Sequence, residues 1–489
     1  MSPLLVISIL AGYFGLLIFI SWLTGRKADT AAFFIANRRS PWYLVAFGMI
    51  GASLSGVTFI SIPGWVGTSG FSYFQMVLGY LLGYLVIGTV LMPLYYRLNL
   101  ISIYTYLEQR FGFWSYKTGA FFFLLSRTIG ASFRLFLVAG VLQLALFDRW
   151  GVPFWVSVMV TILLIWIYTF RGGIKTIVWT DTLQTLFMLL AVVITIRLIS
   201  AELNLSFENL ITTIKESQYS QVFFWDLKYL KDEKYFFKQF FAGAFIAIVM
   251  TGLDQDMMQK NLSCRNLKDA QKNMFWFSII LVFVNGLFLC LGALLFIYSN
   301  SKGIALPLNT DDLYPILALD HFSTFAGIIF LLGITAAAYS SADSALTALT
   351  TSFCVDFLNK DFTGQTDENI KRKIRYKVHV AFSVILFLMI LIFKVINDEN
   401  VISALFKAAG YTYGPLLGLY AFGLLTKWKT NDRAVPFVCL ISPVICYILN
   451  VNSESWFGGY KFGFEILILN GLITFAGLMA FSGRFGNQK

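Results

Sequence analysis

Apolar runs of about 20 residues recur along almost the whole chain, separated by short polar gaps, and no other feature restricts the fold so strongly. A run of that length crosses the hydrocarbon layer of a bilayer as a helix, in which every backbone N–H and C=O is satisfied internally. On that template thirteen spans are predicted, near 4–23, 42–68, 72–97, 117–147, 152–170, 176–200, 236–259, 272–299, 323–357, 376–396, 400–425, 433–451 and 460–482. Composition agrees: 58% hydrophobic and 13% charged residues, with a mean hydropathy of +0.72, leave too little polar surface to coat a water-soluble globule of 489 residues. The expected fold class is an all-α polytopic membrane protein with lipid as its solvent.

The net charge of +11 does not point to nucleic acid, because the basic residues sit in short gaps between apolar runs. With the loop after the first span taken as cytoplasmic, connections on that side hold 24 of the 37 Lys and Arg residues, Lys260 among them. An outside N-terminus and a cytoplasmic C-terminus follow from the positive-inside rule. The stretch 4–23 lacks a basic leader and a small-residue cleavage site, so it reads as the first span. Five scattered cysteines (Cys264, Cys290, Cys354, Cys439, Cys446) and two isolated histidines indicate neither a disulfide framework nor a zinc cluster. The segment 308–321 reads equally as a surface helix or a plain loop.

A charged side chain at mid-bilayer costs on the order of 3 kcal/mol, so each one needs a partner, a cavity or a task. The fourth span carries Arg127 and Arg134 in SRTIGASFR. Two turns apart, they leave one helix face with roughly 10 Å between them along the axis. Asp181 lies in the sixth span, Asp254 and Asp256 at the inner end of the seventh, Asp343 in the ninth and Lys407 in the eleventh. The ninth span reads AAAYSSADSALTALTTS, with Ser340, Asp343 and Ser344 at i, i+3 and i+4, and Ser341 four residues after Ala337. Hydroxyls, a carboxylate and a freed carbonyl are hard oxygen ligands that an alkali cation accepts; the same small residues would also let helices approach closely.

The second span, GMIGASLSGVTFISIPG, holds four glycines and a proline. A helix interrupted at mid-membrane is predicted there, with free carbonyls for an ion and free amides for an anionic group. A second break is predicted in AGAFIAIVMTGLDQD of the seventh span. Spans 2 and 7 then open two successive sets of five, the arrangement of an inverted-repeat transporter.

The segments AAFFIANRR, YRLNLISIYTYLEQRFG, TFRGGIKTIVWTDTLQ, GLDQDMMQKNLSCRNLKDAQKN and SSADSAL, in this order, resemble those of the sodium/solute symporter family, nearest in pattern to its bacterial sialic-acid members. The resemblance implies a LeuT-type core at 42–425, preceded by a leading span at 4–23 and followed by two trailing spans at 433–482, in a single membrane domain. It also implies a sodium site made by backbone carbonyls of Gly51, Leu54 and Ala337 with the hydroxyls of Ser340 and Ser341. A second cation site would use Asp181, Ser340, Asp343 and Ser344, with Asp343 standing where the relatives carry serine. Hydroxyls of Ser55 and Thr58, near Tyr73, match the relatives' carboxylate contacts. Their arginine on span 4 maps to Gly130, with Arg127 and Arg134 one turn to either side, and their glutamine on span 3 maps to Val77, so substrate identity does not carry over.

The expected function is import of a small organic solute coupled to sodium, the only cofactor expected. Arg127, Arg134 and Lys407 favour an anionic solute such as a sugar acid; a neutral sugar, amino acid or vitamin is the alternative, and proton coupling through Asp181 or Asp343 a rival. Lys407 either pairs with Asp343 or Asp181 and stands in for a second cation, or snorkels to water. The absence of HExxH, GxSxG and Walker sequences speaks against a membrane enzyme. A monomer in the plasma membrane, most simply a bacterial inner membrane, is expected, with no nucleic-acid partner.

Overall fold

The computed structural model describes residues 3–25, 38, 40–169, 173–358, 368–396 and 400–483. Most of AAFFIANRR and the centre of TFRGGIK lie outside the described residues, as do several basic residues counted for orientation. The described residues are mostly helical; their strand pairing is limited to Lys429–Thr430 with Ser482–Gly483, antiparallel, and a single bridge between Ser40 and Cys264.

A leading helix α1, Pro3–Gly25, is followed by two short consecutive helices, α2 (Trp42–Ser53) and α3 (Gly56–Ser69). Then come α4 (Tyr73–Arg97), the short α5 (Thr105–Arg110), α6 (Phe113–Phe147), α7 (Phe154–Thr169) and α8 (Gly173–Glu202). After a surface helix α9, Phe207–Glu216, a second broken pair appears, α10 (Phe236–Gly252) and α11 (Gln255–Leu262). It is followed by α12 (Leu267–Lys302), α13 (Thr324–Phe357), α14 (Glu368–Ile396) and α15 (Val401–Leu425). Two trailing helices, α16 (Val435–Val451) and α17 (Ile466–Ala480), complete the bundle.

Both predicted interruptions are present. The axis bends by 53° between α2 and α3 and by 64° between α10 and α11. At the first break Leu54 (φ −86°, ψ 79°) and Ser55 (φ −80°, ψ −177°) leave helical geometry, which turns their peptide groups out of the ladder. At the second, Asp254 restarts the helix: its Oδ1 accepts from the backbone N–H of Asp256 (2.9 Å) and Met257 (3.3 Å), a side-chain N-cap.

Eight helices among the described residues are long and apolar enough to cross a membrane, and ten if each bent pair is one crossing. The count of thirteen is not confirmed by length and hydropathy. The three other expected spans coincide with the shorter α7 and α17 and with α15, whose apolar run is diluted by Lys407, glycines and tyrosines. Of the two forms expected for 308–321, the helical one is present, over Thr310–His321. The segment makes short helical turns that bury Leu313, Tyr314 and Leu317, and they press against α3, where a Cβ on Gly64 would stand 2.5 Å from the Thr310 carbonyl oxygen.

The lipid-facing sides are apolar and exposed, as along Val384, Leu388 and Ile392 of α14. The polar and charged residues collect inside, where α2, α3, α6, α8, α10, α11 and α13 meet. Close packing is bought with glycine at crossings: α4 meets α10 so tightly that a Cβ on Gly243 would lie 2.1 Å from the Met76 carbonyl.

Candidate functional site

A cavity of about 80 Å³ lies beside the α2/α3 break. Its lining includes six of the residues picked out from the sequence: Leu54 at the break, Ser55 and Thr58 after it, Tyr73 on α4, and Arg127 and Arg134 on α6. The Tyr73 hydroxyl meets that of Tyr80 at 3.0 Å, and its ring stacks on Phe406 of α15 at 6.4 Å. Tyr80, Tyr84, Asn285 and Phe406 also line the space and were not picked out. Aromatic and small polar residues at helical spacing look the same in sequence whether they face a cavity or a neighbouring helix. Pockets that enclose a drug-sized ligand run to roughly 300–1,000 Å³, so the space is narrow in this structure.

The two arginines differ. Arg127 Nη2 pairs with Asp256 Oδ2 of α11, and its Nη1 lies 4.0 Å from Asp254 Oδ2. Asp254 Oδ2 also accepts from the Tyr413 hydroxyl of α15 at 2.6 Å. The partners of Arg127 are thus the acids beside the second break. Arg134 is 7% exposed, and its Nε and Nη1 have no hydrogen-bond partner among the described residues. A buried guanidinium left with unsatisfied donors costs free energy unless something arrives to accept them.

Lys407 does not join the cavity. Ile402, Leu405 and Phe406 of α15 face it, and Lys407, about 100° further round the helix, is half-buried outside the lining. Nor is it the partner of Asp181. That place belongs to Lys260, whose Nζ lies 2.7 Å from Asp181 Oδ2 with both side chains buried to within 1%. Lys260 had been counted as a cytoplasmic loop cation. It belongs to α11, which begins inside the expected span 236–259 and carries the lysine just past the end of that span; the trace it leaves is its i+4 spacing from Asp256.

The residues expected to hold a cation gather where α2, α8 and α13 cross. The Ser340 hydroxyl donates to Asp181 Oδ1 at 2.9 Å. The Ser341 hydroxyl lies 3.2 Å from the Ala337 carbonyl oxygen and 3.5 Å from that of Ala52, so it bridges α13 to the end of α2. Gly51 sits against Ser340: a Cβ there would be 3.3 Å from its Oγ and 2.1 Å from Thr185 Oγ1. Thr185, which the sequence reading passed over, donates to the Asp181 carbonyl (2.7 Å) and reaches that of Phe47 (3.1 Å), fastening α8 to α2. Asp343 and Ser344 are fully buried further along α13, and Ser344 Oγ has no hydrogen-bond partner among the described residues.

The profile of the sodium:solute symporter family matches residues 33–435, most of the chain. The chain belongs to that family. At 23% identity the symporter aligns over 95% of its length with 92% of the sodium/sialic acid symporter NanT of Aliivibrio fischeri, and over 96% with 94% of SiaT of Proteus mirabilis. It is 24% identical to human sodium-coupled monocarboxylate transporter 2, covering 85% of this chain and 67% of that one. Among solved structures, a substrate-bound outward-open Na+-coupled sialic acid symporter superposes with a TM-score of 0.81 at 20% identity, over 97% of each chain. The symporter therefore has the LeuT-type inverted-repeat fold that its two broken helices announced, and sodium is the coupling ion of its family.

Proposed function

We propose that the symporter imports a small carboxylate-bearing solute, a sugar acid or another organic acid, with sodium by alternating access. The observation that carries this reading is Arg134: a buried guanidinium with free donors, facing a cavity that also presents Ser55 and Thr58. A carboxylate fits such a fork with two parallel charge-assisted bonds. The names of the relatives point the same way, since sialic acid and monocarboxylates are organic anions.

In this reading sodium binds to the carbonyls of Gly51, Leu54 and Ala337 and the hydroxyls of Ser340 and Ser341. It draws α2 onto α13, and that closure fixes Ser55 and Thr58 opposite Arg134. Because the Ser340 proton is directed to Asp181, its oxygen lone pairs face elsewhere, as a cation ligand requires. The cluster of Arg127, Asp254, Asp256 and Tyr413 ties α6, α11 and α15 together beside the cavity, and it parts when the solute leaves for the cytoplasm. The whole chain acts as one monomeric transport unit in a bacterial inner membrane, with its N-terminus outside and its C-terminus inside.

The test is uptake into proteoliposomes under an inward sodium gradient, comparing labelled sugar acids and monocarboxylates with neutral sugars and amino acids. An acid is expected to accumulate above equilibrium, and to stop when the sodium gradient is collapsed. Accumulation of a neutral solute alone, or uptake driven by a pH gradient without sodium, refutes the proposal.

A further inference from the structure

Asp181 is a fully buried carboxylate, and its two oxygens already have partners: Ser340 Oγ at 2.9 Å on Oδ1 and Lys260 Nζ at 2.7 Å on Oδ2. The lysine is not a passing contact. Its side chain is 1% exposed and is among the largest fully buried side chains described. Its helix is anchored around it. The Gln255 side chain bonds the backbone of Ile101 and Ile103, the Tyr96 hydroxyl donates to the Asn261 carbonyl, and Asn273 holds the Asn261 side chain.

A desolvated carboxylate demands one compensating positive charge at contact distance, and a chain-borne ammonium meets that demand as well as a free alkali ion does. Two cations cannot share that oxygen in a water-poor interior, because their mutual repulsion is barely screened there. We propose that Lys260 is a built-in cation: it fills, at Asp181 and Ser340, the place that a second co-transported sodium would take, so that one sodium moves per cycle. This inference rests on the assignment of the first sodium to Ser340 and Ser341. The substitute cation is Lys260 of the half-helix α11, not Lys407 of α15.

One consequence separates the proposal from a merely structural ion pair. If the lysine only braces the helices, its removal weakens the fold and leaves the sodium count unchanged. If it occupies a cation site, removing it while keeping Asp181 creates a vacancy that sodium enters.

The experiment uses the full chain, purified and reconstituted. Sodium binding is read without solute, from thermal unfolding titrated with sodium against choline, and stoichiometry from the ratio of labelled sodium to labelled solute taken up. The wild type is expected to give a Hill slope of one and a flux ratio of one. Lys260→Ser, which leaves space beside an ionised Asp181, is expected to give a slope approaching two and a flux ratio of two. Asp181→Asn with Lys260→Met removes both charges together, and is expected to fold and return the slope to one. Should Lys260→Ser not fold, Lys260→Thr is read in its place with the same expected slope and ratio. A wild-type ratio of two, or a folded Lys260→Ser with a slope of one, overturns the proposal. Sodium binding of the expected slope without uptake of any carboxylate would instead defeat the proposed function and leave the built-in cation supported.

Discussion

Replacing Arg134 by methionine should make the symporter a poorer transporter and a more stable protein. The guanidinium is buried, and among the described residues two of its donor atoms have no hydrogen-bond partner and no carboxylate pairs with it. Such a group costs about 1–3 kcal/mol in the resting protein. Methionine keeps the length of the stem and removes that cost, so unfolding should be harder by a similar amount. A carboxylate held by charge-assisted bonds loses about 1.5–3 kcal/mol when the donor goes, which raises KM by roughly 10- to 150-fold. Arg127→Met should behave differently. It strands Asp256, whose second oxygen also has no hydrogen-bond partner among the described residues, and breaking a buried pair by removing one side costs about 3–5 kcal/mol. Stability and uptake therefore fall together at Arg127 and move in opposite directions at Arg134. Tryptophan-fluorescence unfolding and sodium-driven uptake on the same preparations measure both. Equal destabilisation by the two substitutions, with KM unchanged in Arg134→Met, would refute the assignment of Arg134 as the open solute contact.

Ser341→Ala removes a hydroxyl placed between the Ala337 and Ala52 carbonyls, and should raise the sodium concentration for half-maximal uptake roughly tenfold while the solute KM at saturating sodium stays near wild type, read from uptake curves. Tyr413→Phe removes the 2.6 Å bond to Asp254 and should speed labelling of cytoplasmic-side cysteines introduced behind the cluster, at a cost of about 1 kcal/mol in stability. Gly64→Ala sets a methyl against the Thr310 carbonyl and should loosen the outer turns from α3, seen as faster hydrogen exchange over 310–321. Asp311, in those outer turns, holds the Val401 N–H at 2.9 Å and the Asn400 amide; burial pushes its carboxyl up to about 7. The folded protein thus keeps a proton there that the unfolded chain gives up near pH 4, so this link contributes most at acid pH and weakens as pH rises through about 7. Exchange protection of 310–321 should fall between pH 5 and 7.5 in the wild type, by much less in Asp311→Asn, and an identical pH profile in both would discard this account.

The fold was legible because its main signals are local. Apolar length marks a membrane helix, and GMIGASLSG or TGLDQD marks a break wherever it occurs, since neither needs a partner to be recognised. The oxygen-rich face of α13 was legible for the same reason, being one helix read at i, i+3 and i+4. Pairings were not. That Asp181 would meet Lys260 rather than Lys407 depends on where α11 lies after its 64° turn, and no residue within α11 records that angle. The lysine was hidden by its surroundings in sequence, a run of Gln, Asn, Ser, Arg and Lys that resembles a loop because the half-helix is buried by contacts from elsewhere in the chain. Lys407 misled in the opposite sense. It sits within an apolar run, but its direction from α15 is fixed by which face packs inward, and that face belongs to Ile402, Leu405 and Phe406.

The buried ammonium of Lys260 also bears on how strongly a cell could concentrate its nutrient. When one sodium accompanies one monoanion, the charges crossing together cancel, and the membrane voltage contributes nothing to the gradient that is built. Accumulation is then capped at the ratio of sodium outside to sodium inside, instead of the square of that ratio multiplied by a voltage factor. Such a carrier suits a solute that is met often and consumed at once, and it goes on working in a cell whose membrane has depolarised.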